Sequence, residues 1–359
     1  MKEEGWELLL VSADGREVQS ICRAEGVRHE VIPFVKGVNY VEDFISFWLL
    51  FQLIRKERPD VIHSYDSKAG FLGMLAGSLV GIPHRIHSIT EMPVHTKDPQ
   101  KGLTFLEKWT FSNATSLWVN STGMLSFFTS NSGIDADKFK LLGSGSTLGV
   151  DLEKFNRQVL KENHLVAATM RILPGENDFI ILAIGALTKR KGVEDLIAAF
   201  LKSKIVSRSK LVLIGTFDPA EESLSQETIQ TIREHPRVVQ IDWTDHVDHH
   251  LALADVLVHP SHEEGFSNVL LEAAAMQVPI ICSNCIGNAS FIKQQKTGLV
   301  FPVGEVTVLK EAMEFAYVKR DTLASYTDAL FEEVQEKYDR KVMRKLQVAA
   351  YRQLLKNQD

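Results

Sequence analysis

A chain of 359 residues corresponds to about two domains of roughly 150 residues each, and 45% hydrophobic with 24% charged residues is the balance of a globular protein. That excludes a disordered tail, a collagen-like rod and a mini-protein. The net charge of −6, from 40 basic and 46 acidic side chains interspersed along the chain, lacks the basic footprint that nucleic acid requires.

Cys22, Cys282 and Cys285 are too few for a disulfide framework at this size. No stretch reaches the roughly eighteen apolar residues of a membrane span, and the first residues lack the apolar core of a signal peptide. The cytoplasm is the expected compartment. In chain order, Glu7–Ser12 reads as a buried strand closed by the turn Ala13-Asp14-Gly15, and Val27–Pro33 as a second strand. Tyr40–Arg58 has helical apolar spacing, Pro59–His63 leads into a strand, Ala69–Val80 is a small-residue helix, and Arg85–Ile89 is a strand. A helix over Leu103–Asn113, a strand over Ser116–Asn120, a helix over Thr122–Ser130 and a strand over Phe139–Leu142 follow. This is the βαβ rhythm of a parallel sheet.

The polar stretch with Pro174 and Gly175 reads as a linker, after which the rhythm restarts. Strands are expected at Phe179–Ile184, Lys210–Ile214, Val238–Ile241, Val256–His259, Ile280–Cys282 and Gly298–Phe301. Helices are expected at Gly192–Lys202, Ser225–Arg233, His249–Ala254 and Asn268–Met276, with Val306–Gln358 helical throughout. The fold class is therefore α/β with two parallel-sheet domains: 1–155, a linker over 156–177, 178–335, and a closing helix over 336–359 packing back on the first domain. Ligands of such sheets bind beyond the carboxyl ends of the strands, so a cleft between the two is expected.

The most informative segment is His262-Glu263-Glu264-Gly265-Phe266-Ser267-Asn268-Val269-Leu270-Leu271-Glu272. Glu264 sits in a loop after a buried strand, Gly265 permits close backbone approach, and Ser267 or Asn268 can cap the helix that follows. The amino end of that helix suits a diphosphate. Eight residues from Glu264 to Glu272 would span about 12 Å if all were helical, the scale of a nucleotide sugar. A carboxylate accepts two hydroxyl donors, so one Glu can take sugar hydroxyls and the other the vicinal hydroxyls of a ribose.

With this wording the chain resembles the retaining glycosyltransferases of the GT4 type, which have the GT-B fold of two facing Rossmann-like domains. Glu264 and Glu272 match that family's Glu-x7-Glu signature. Ile184-Gly185-Ala186-Leu187-Thr188-Lys189-Arg190-Lys191-Gly192 resembles its donor-phosphate loop. Ser67–Ala76 and Gly143–Asp151 resemble first-domain motifs of members that build capsule, O-antigen and exopolysaccharide units. The resemblance implies a hexose or N-acetylhexosamine moved from a UDP-sugar to a lipid-linked saccharide, with configuration retained, no metal and no other cofactor. Glu264 and Lys191 would be catalytic. Gly185, Arg190, Lys191, Glu264, Gly265, Phe266, Ser267, Asn268, Val269 and Glu272 would bind the donor, and such an acceptor implies a peripheral contact with the inner membrane face.

Several positions depart from the family pattern. Its phosphate-loop Arg falls on Ala186, leaving Lys189 or Arg190, both read as solvated, to swing in; its first-domain His falls on Thr90 or Glu91, with His87 and His95 off register. Asn288-Ala289-Ser290 stand where a Glu is common. The family opens with one strand, one loop and most of a helix, on the order of 25 residues, that this sequence does not show. Weak or no turnover is therefore expected. His246, His249, His250, His259 and His262 fit no metal pattern, although His246 could lie near the donor base, and Cys282 and Cys285 read as strand-end packing. The stripe Phe44, Phe47, Trp48, Phe51 with Arg55, Lys56 and Arg58 is expected to pack on the first sheet instead of on a membrane. A UDP-sugar 2-epimerase and a non-catalytic nucleotide-sugar binder are the competing readings.

Overall fold

A computed structural model describes residues 4–35, 37, 39–65, 67–92, 103–172, 175, 178–218 and 223–356. His95 and Pro174, named above, lie outside them. The chain forms two compact units: residues 1–119, 125–142 and 346–359 in the first, and 120–124 with 143–345 in the second.

In the first unit, β1 (Leu9–Ser12), α1 (Arg16–Glu25) and β2 (Arg28–Val31) make a parallel βαβ of their own. A four-stranded parallel sheet follows in chain order: β3 (Val61–Ser64), β4 (His84–Ile89), β5 (Ser116–Val119) and β6 (Phe139–Leu141). Its helices are α2 (Tyr40–Glu57), α3 (Ser67–Val80) and α4 (Phe105–Asn113), with α5 (Thr122–Asn131) divided between the units. Helix α3 packs between α2 and α4. Its small residues allow this: a Cβ at Gly70 would stand 2.5 Å from the His87 ring, and one at Gly77 would stand 2.6 Å from Ile62. The aromatic stripe of α2 is split. Phe47 and Phe51 pack against the core, whereas Phe44 and Trp48 are exposed.

In the second unit α6 (Glu162–Ile172) precedes the sheet. The expected linker is thus replaced by a helix, because Ala168 and Ile172 lie on one stripe and are buried, and α6 packs on α9 (Val247–Leu253). The first domain also ends earlier than residue 155. Val150 exchanges backbone hydrogen bonds with Tyr338 and Arg340, and Phe155 enters the second unit's core. The sheet runs β12 (Leu299–Phe301), β11 (Ile280–Ser283), β10 (Val256–His259), β7 (Phe179–Ile184), β8 (Ser209–Ile214), β9 (Val238–Ile241), all parallel. Its central strand β7 is apolar throughout because both faces are covered. Ile180 and Leu182 belong to the cluster that includes α10 (Asn268–Ala275), while Phe179, Ile181 and Ala183 belong to the one that includes α7 (Val193–Lys202).

The remaining helices of this sheet are α8 (Gln226–Glu234) and α11 (Ile286–Phe291). The closing stretch is helical as three helices, α12 (Val306–Val318), α13 (Arg320–Lys337) and α14 (Arg340–Lys356), interrupted at Lys319 and at Tyr338-Asp339. Residues 340–345 belong to the second unit and 346–356 to the first.

In the first unit Tyr351 of α14 bonds its hydroxyl to His63 Nδ1, and His63 Nε2 lies 2.7 Å from Ser88 Oγ. The His63 ring packs among Tyr65, Trp118 and Tyr351. Burial, then the charge of His87, pushes the His63 imidazole down to about 3 from 6.5. Its contribution to stability is therefore complete above the unfolded value of 6.5 and declines as pH falls toward 3. Tyr351→Phe, which strips His63 of a partner, is expected to lower stability by about 1–3 kcal/mol in urea unfolding at neutral pH. An unchanged midpoint and slope would show that this hydroxyl does not anchor α14.

Candidate active site

In the second unit the chain builds β7, β8 and β9 outward in one direction, then returns to place β10 on the other side of β7. That reversal makes the carboxyl ends of β7 and β10 the place where an α/β sheet opens to a ligand. Two loops leave from there: residues 185–192 after β7, and residues 260–267 after β10. They are clasped together. Gly192 has φ +70 and lies so close to the other loop that a Cβ would stand 2.1 Å from the Pro260 carbonyl oxygen. The His262 backbone N–H donates to the Arg190 carbonyl at 2.9 Å, and His262 Nε2 lies 2.6 Å from Asp195 Oδ2 on α7.

Across this clasp Lys191 Nζ donates to Glu264 Oε1 at 2.5 Å. Ser261 Oγ donates to the same oxygen at 2.9 Å, and His259 Nε2 stands 3.2 Å from it. Burial opposes ionisation of Glu264, but the His259 imidazole and the Lys191 ammonium outweigh it, holding the carboxyl well below the usual carboxylate range. Glu264 is thus a fixed anion whose Oε1 is saturated by protein donors. Its backbone is fixed as well: the Glu264 carbonyl accepts from Gly287 N at 3.1 Å, where a side chain on residue 287 would clash at 2.6 Å. Beneath the loop, Ser283 Oγ donates to the Ser261 carbonyl, and Asn288 Nδ2 donates to Ser283 Oγ at 3.2 Å.

Helix α10 starts at Asn268 with Ser267 as its N-cap, and the Ser267 side chain does not bond back to its first N–H groups. Those groups are available to an anion. Only the second half of the Glu264–Glu272 interval is helical, so the all-helical span expected from the sequence does not apply. Glu272, on the second turn of α10, is the opposite of Glu264. Burial lifts its carboxyl to about 7; Lys154 and Arg340 pull it down by less than that, and Asp248 adds to the rise.

The structure brings Gly185, Ala186, Lys191, His259 and Ser261 to one recess, with Glu264 bonded to Lys191 beside it. Arg190 and Lys189 are half-buried on the same loop, not solvated. Gly265 is buried and Asn268 exposed. The Phe266 ring packs with Phe291 and Tyr338, 5.6 and 5.7 Å between centroids, and Val269 packs on the core. These two side chains belong to the fold, leaving their backbone N–H groups to the loop. His259, Ser261 and the His262–Asp195 pair were not singled out from the sequence as site residues; the position of His259 at a strand's carboxyl end was the available signal. Cys282 and Cys285 are buried free thiols.

His246, Asp248 and His249 bring possible ligand atoms within 4.8 Å of one another, although these histidines fit no metal pattern in the sequence. The two rings stack 4.6 Å apart at 2°. Lone pairs in parallel planes run side by side instead of converging on one ion. His87, buried, bonds Ser64 Oγ at 2.9 Å in the first unit.

Comparison with known proteins follows the same outline. Residues 1–145 match the family model "Glycosyl transferase 4-like domain", and residues 170–329 match "Glycosyl transferases group 1". The chain is 28% identical over 319 residues to the capsular polysaccharide biosynthesis glycosyltransferase CapM of Staphylococcus aureus, covering 88% of this chain and 81% of the relative. It is 24% identical to the UDP-Gal:alpha-D-GlcNAc-diphosphoundecaprenol alpha-1,3-galactosyltransferase of Escherichia coli, covering 84% of this chain and 80% of the relative. Among solved structures, Anabaena HepE in complex with UDP-glucose superimposes with a TM-score of 0.79 at 16% identity, over 96% of this chain and 91% of that one. With a model matched in each half and the parallel-sheet architecture shared, the chain belongs to the glycosyltransferases of the GT4 type, with the GT-B fold.

Proposed function

We propose that this glycosyltransferase moves a hexose or N-acetylhexosamine from a UDP-sugar to a lipid-linked saccharide of a bacterial surface polysaccharide, retaining the anomeric configuration. The observation that carries the reading is the convergence of Lys191, Ser261 and His259 on one oxygen of Glu264. With Oε1 taken, Oε2 is the oxygen that accepts donor-sugar hydroxyls. Lys191, already at the loop, neutralises charge on the diphosphate as it leaves, and the N–H groups of residues 265–269 complete its cradle. Glu272 takes the ribose hydroxyls. The names of the S. aureus and E. coli relatives, with capsule and a diphosphoundecaprenol-linked substrate, support the choice of acceptor.

In this scheme the bond from the sugar's anomeric carbon to the diphosphate breaks, and the acceptor hydroxyl attacks on the face just vacated. Its proton passes to the departing phosphate oxygen. No protein nucleophile takes part, and no metal or other cofactor is required. The test is UDP release from a panel of UDP-sugars with and without membrane extract, alongside calorimetric binding of UDP, GDP and ADP. The proposal predicts selective UDP binding and acceptor-dependent release. Conversion of a UDP-sugar without acceptor would mark an isomerase, and UDP binding with no release would mark a binder.

Glu264→Gln keeps the shape and removes the charge, so transfer is expected to fall by about 100- to 1,000-fold while UDP still binds. Turnover equal to that of the unaltered protein would remove Glu264 from the mechanism.

A second expectation concerns pH. Ribose hydroxyls donate to the ionised form of Glu272, which at about 7 is half-populated near neutrality. UDP affinity should therefore rise by about three- to tenfold between about pH 6 and about pH 8. Glu272→Gln should lose that rise. An identical pH profile in the variant would place the ribose elsewhere.

A further inference from the structure

The recess at the carboxyl ends of β7 and β10 has two kinds of wall. Its volume is about 300 Å³, part of it open to solvent, and Ala183, Leu196, Leu213 and Val258 line it with apolar side chains from β7, α7, β8 and β10. All four belong to one buried cluster, so the recess reaches into the core. A diphosphate, polar throughout, gains nothing from such a surface. Lys191, His259 and Ser261 make the other wall.

That polar wall has a donor to spare. Lys191 Nζ and Ser261 Oγ occupy the two lone pairs of Glu264 Oε1. His259 Nε2 stands 3.2 Å from the same oxygen but is out of line for a hydrogen bond, and it makes none among the described residues. Facing a carboxylate, this nitrogen carries the proton and is a donor. The His259 residue is only 4% exposed, and a buried donor without an acceptor is costly unless a ligand supplies one. The mouth of the recess has room for such a ligand. Gly185 takes φ +145, and a Cβ built on it would meet nothing within 4 Å; Ala186 beside it adds only a methyl.

A group that suits both walls has an apolar end and an acceptor oxygen next to it. We infer that the donor sugar carries an N-acetyl group and that this recess holds it, the methyl against Ala183, Leu196, Leu213 and Val258 and the carbonyl oxygen on His259 Nε2. The inference rests on the UDP-sugar reading above and narrows its donor to an N-acetylhexosamine. A plain hydroxyl in the same place would satisfy His259 but leave the apolar wall unfilled. The methyl of a deoxy-sugar would fill that wall and leave His259 without an acceptor.

The experiment is calorimetric titration of the full chain with UDP, UDP-glucose, UDP-galactose, UDP-N-acetylglucosamine and UDP-N-acetylgalactosamine. At least one N-acetylhexosamine donor is expected to bind about 10- to 200-fold more tightly than the hexose donor of the same configuration, the range for one apolar group in a matching pocket. Val258→Leu puts one more methylene into the recess and should remove most of that preference. Ala183→Val crowds the recess from β7 and takes its place if Val258→Leu fails to fold, with binding of UDP alone as the check on folding. Hexose donors that both bind as tightly as their N-acetyl counterparts would overturn the inference, and so would a full preference kept by a recess-filling variant that binds UDP. The first of these results leaves the UDP-sugar reading standing, whereas failure of all five ligands to bind would remove that reading and this inference together.

Discussion

The second unit is organised around one buried anion. Glu264 sits 13% exposed, with its carboxylate bonded to Lys191, and an anion removed from water in this way needs a cation and hydrogen bonds close at hand. Lys191 is 73 residues away in sequence; only the return of β10 to the side of β7 makes them neighbours. The remaining contacts serve that pairing: the close approach of Gly192 to Pro260, the His262–Asp195 ion pair between loop and helix, and the Gly287 N–H on the Glu264 carbonyl. A pair of this kind contributes little net stability, because desolvation offsets attraction. What it fixes is position.

Two glutamates eight residues apart thereby acquire different chemistry. His259 and Lys191 hold Glu264 ionised, whereas burial lifts Glu272, whose cations Lys154 and Arg340 pull less strongly, to about 7. Environments that push two carboxyls apart assign them different tasks. A permanent anion beside a lysine suits a sugar and its diphosphate. A carboxyl that ionises readily when hydroxyl donors arrive suits a ribose. In the first unit, helix α2 leaves Phe44 and Trp48 exposed beside Arg55 and Lys56.

Much of the fold was legible in the sequence because parallel strands buried on both faces are written as unbroken apolar runs, as in β7 (Phe-Ile-Ile-Leu-Ala-Ile) and β10 (Val-Leu-Val-His). Elements that bury only a narrow stripe were not. Among the described side chains of α1 Cys22 is the buried one, and α6 begins Glu-Asn-His and buries Ala168 and Ile172 late. Residues 156–177 read as a linker, and no element was legible over 16–25. At the site, Glu264, Lys191 and Gly185 could be named from local wording because a loop and a helix start are local features. His259, Ser261 and the Asp195–His262 pair could not, since their roles depend on which strands stand side by side. The aromatic stripe of α2 was assigned to the core as a whole; helical period alone does not reveal how wide a strip the neighbouring sheet covers.

The most direct measurement is an electron-density map of the protein with UDP bound. The account predicts the diphosphate within about 3 Å of Lys191 Nζ, at the N–H groups that open α10, and the ribose hydroxyls on the Glu272 carboxylate. A diphosphate bound elsewhere, with Lys191 still engaged on Glu264 and no hydroxyl on Glu272, would contradict it.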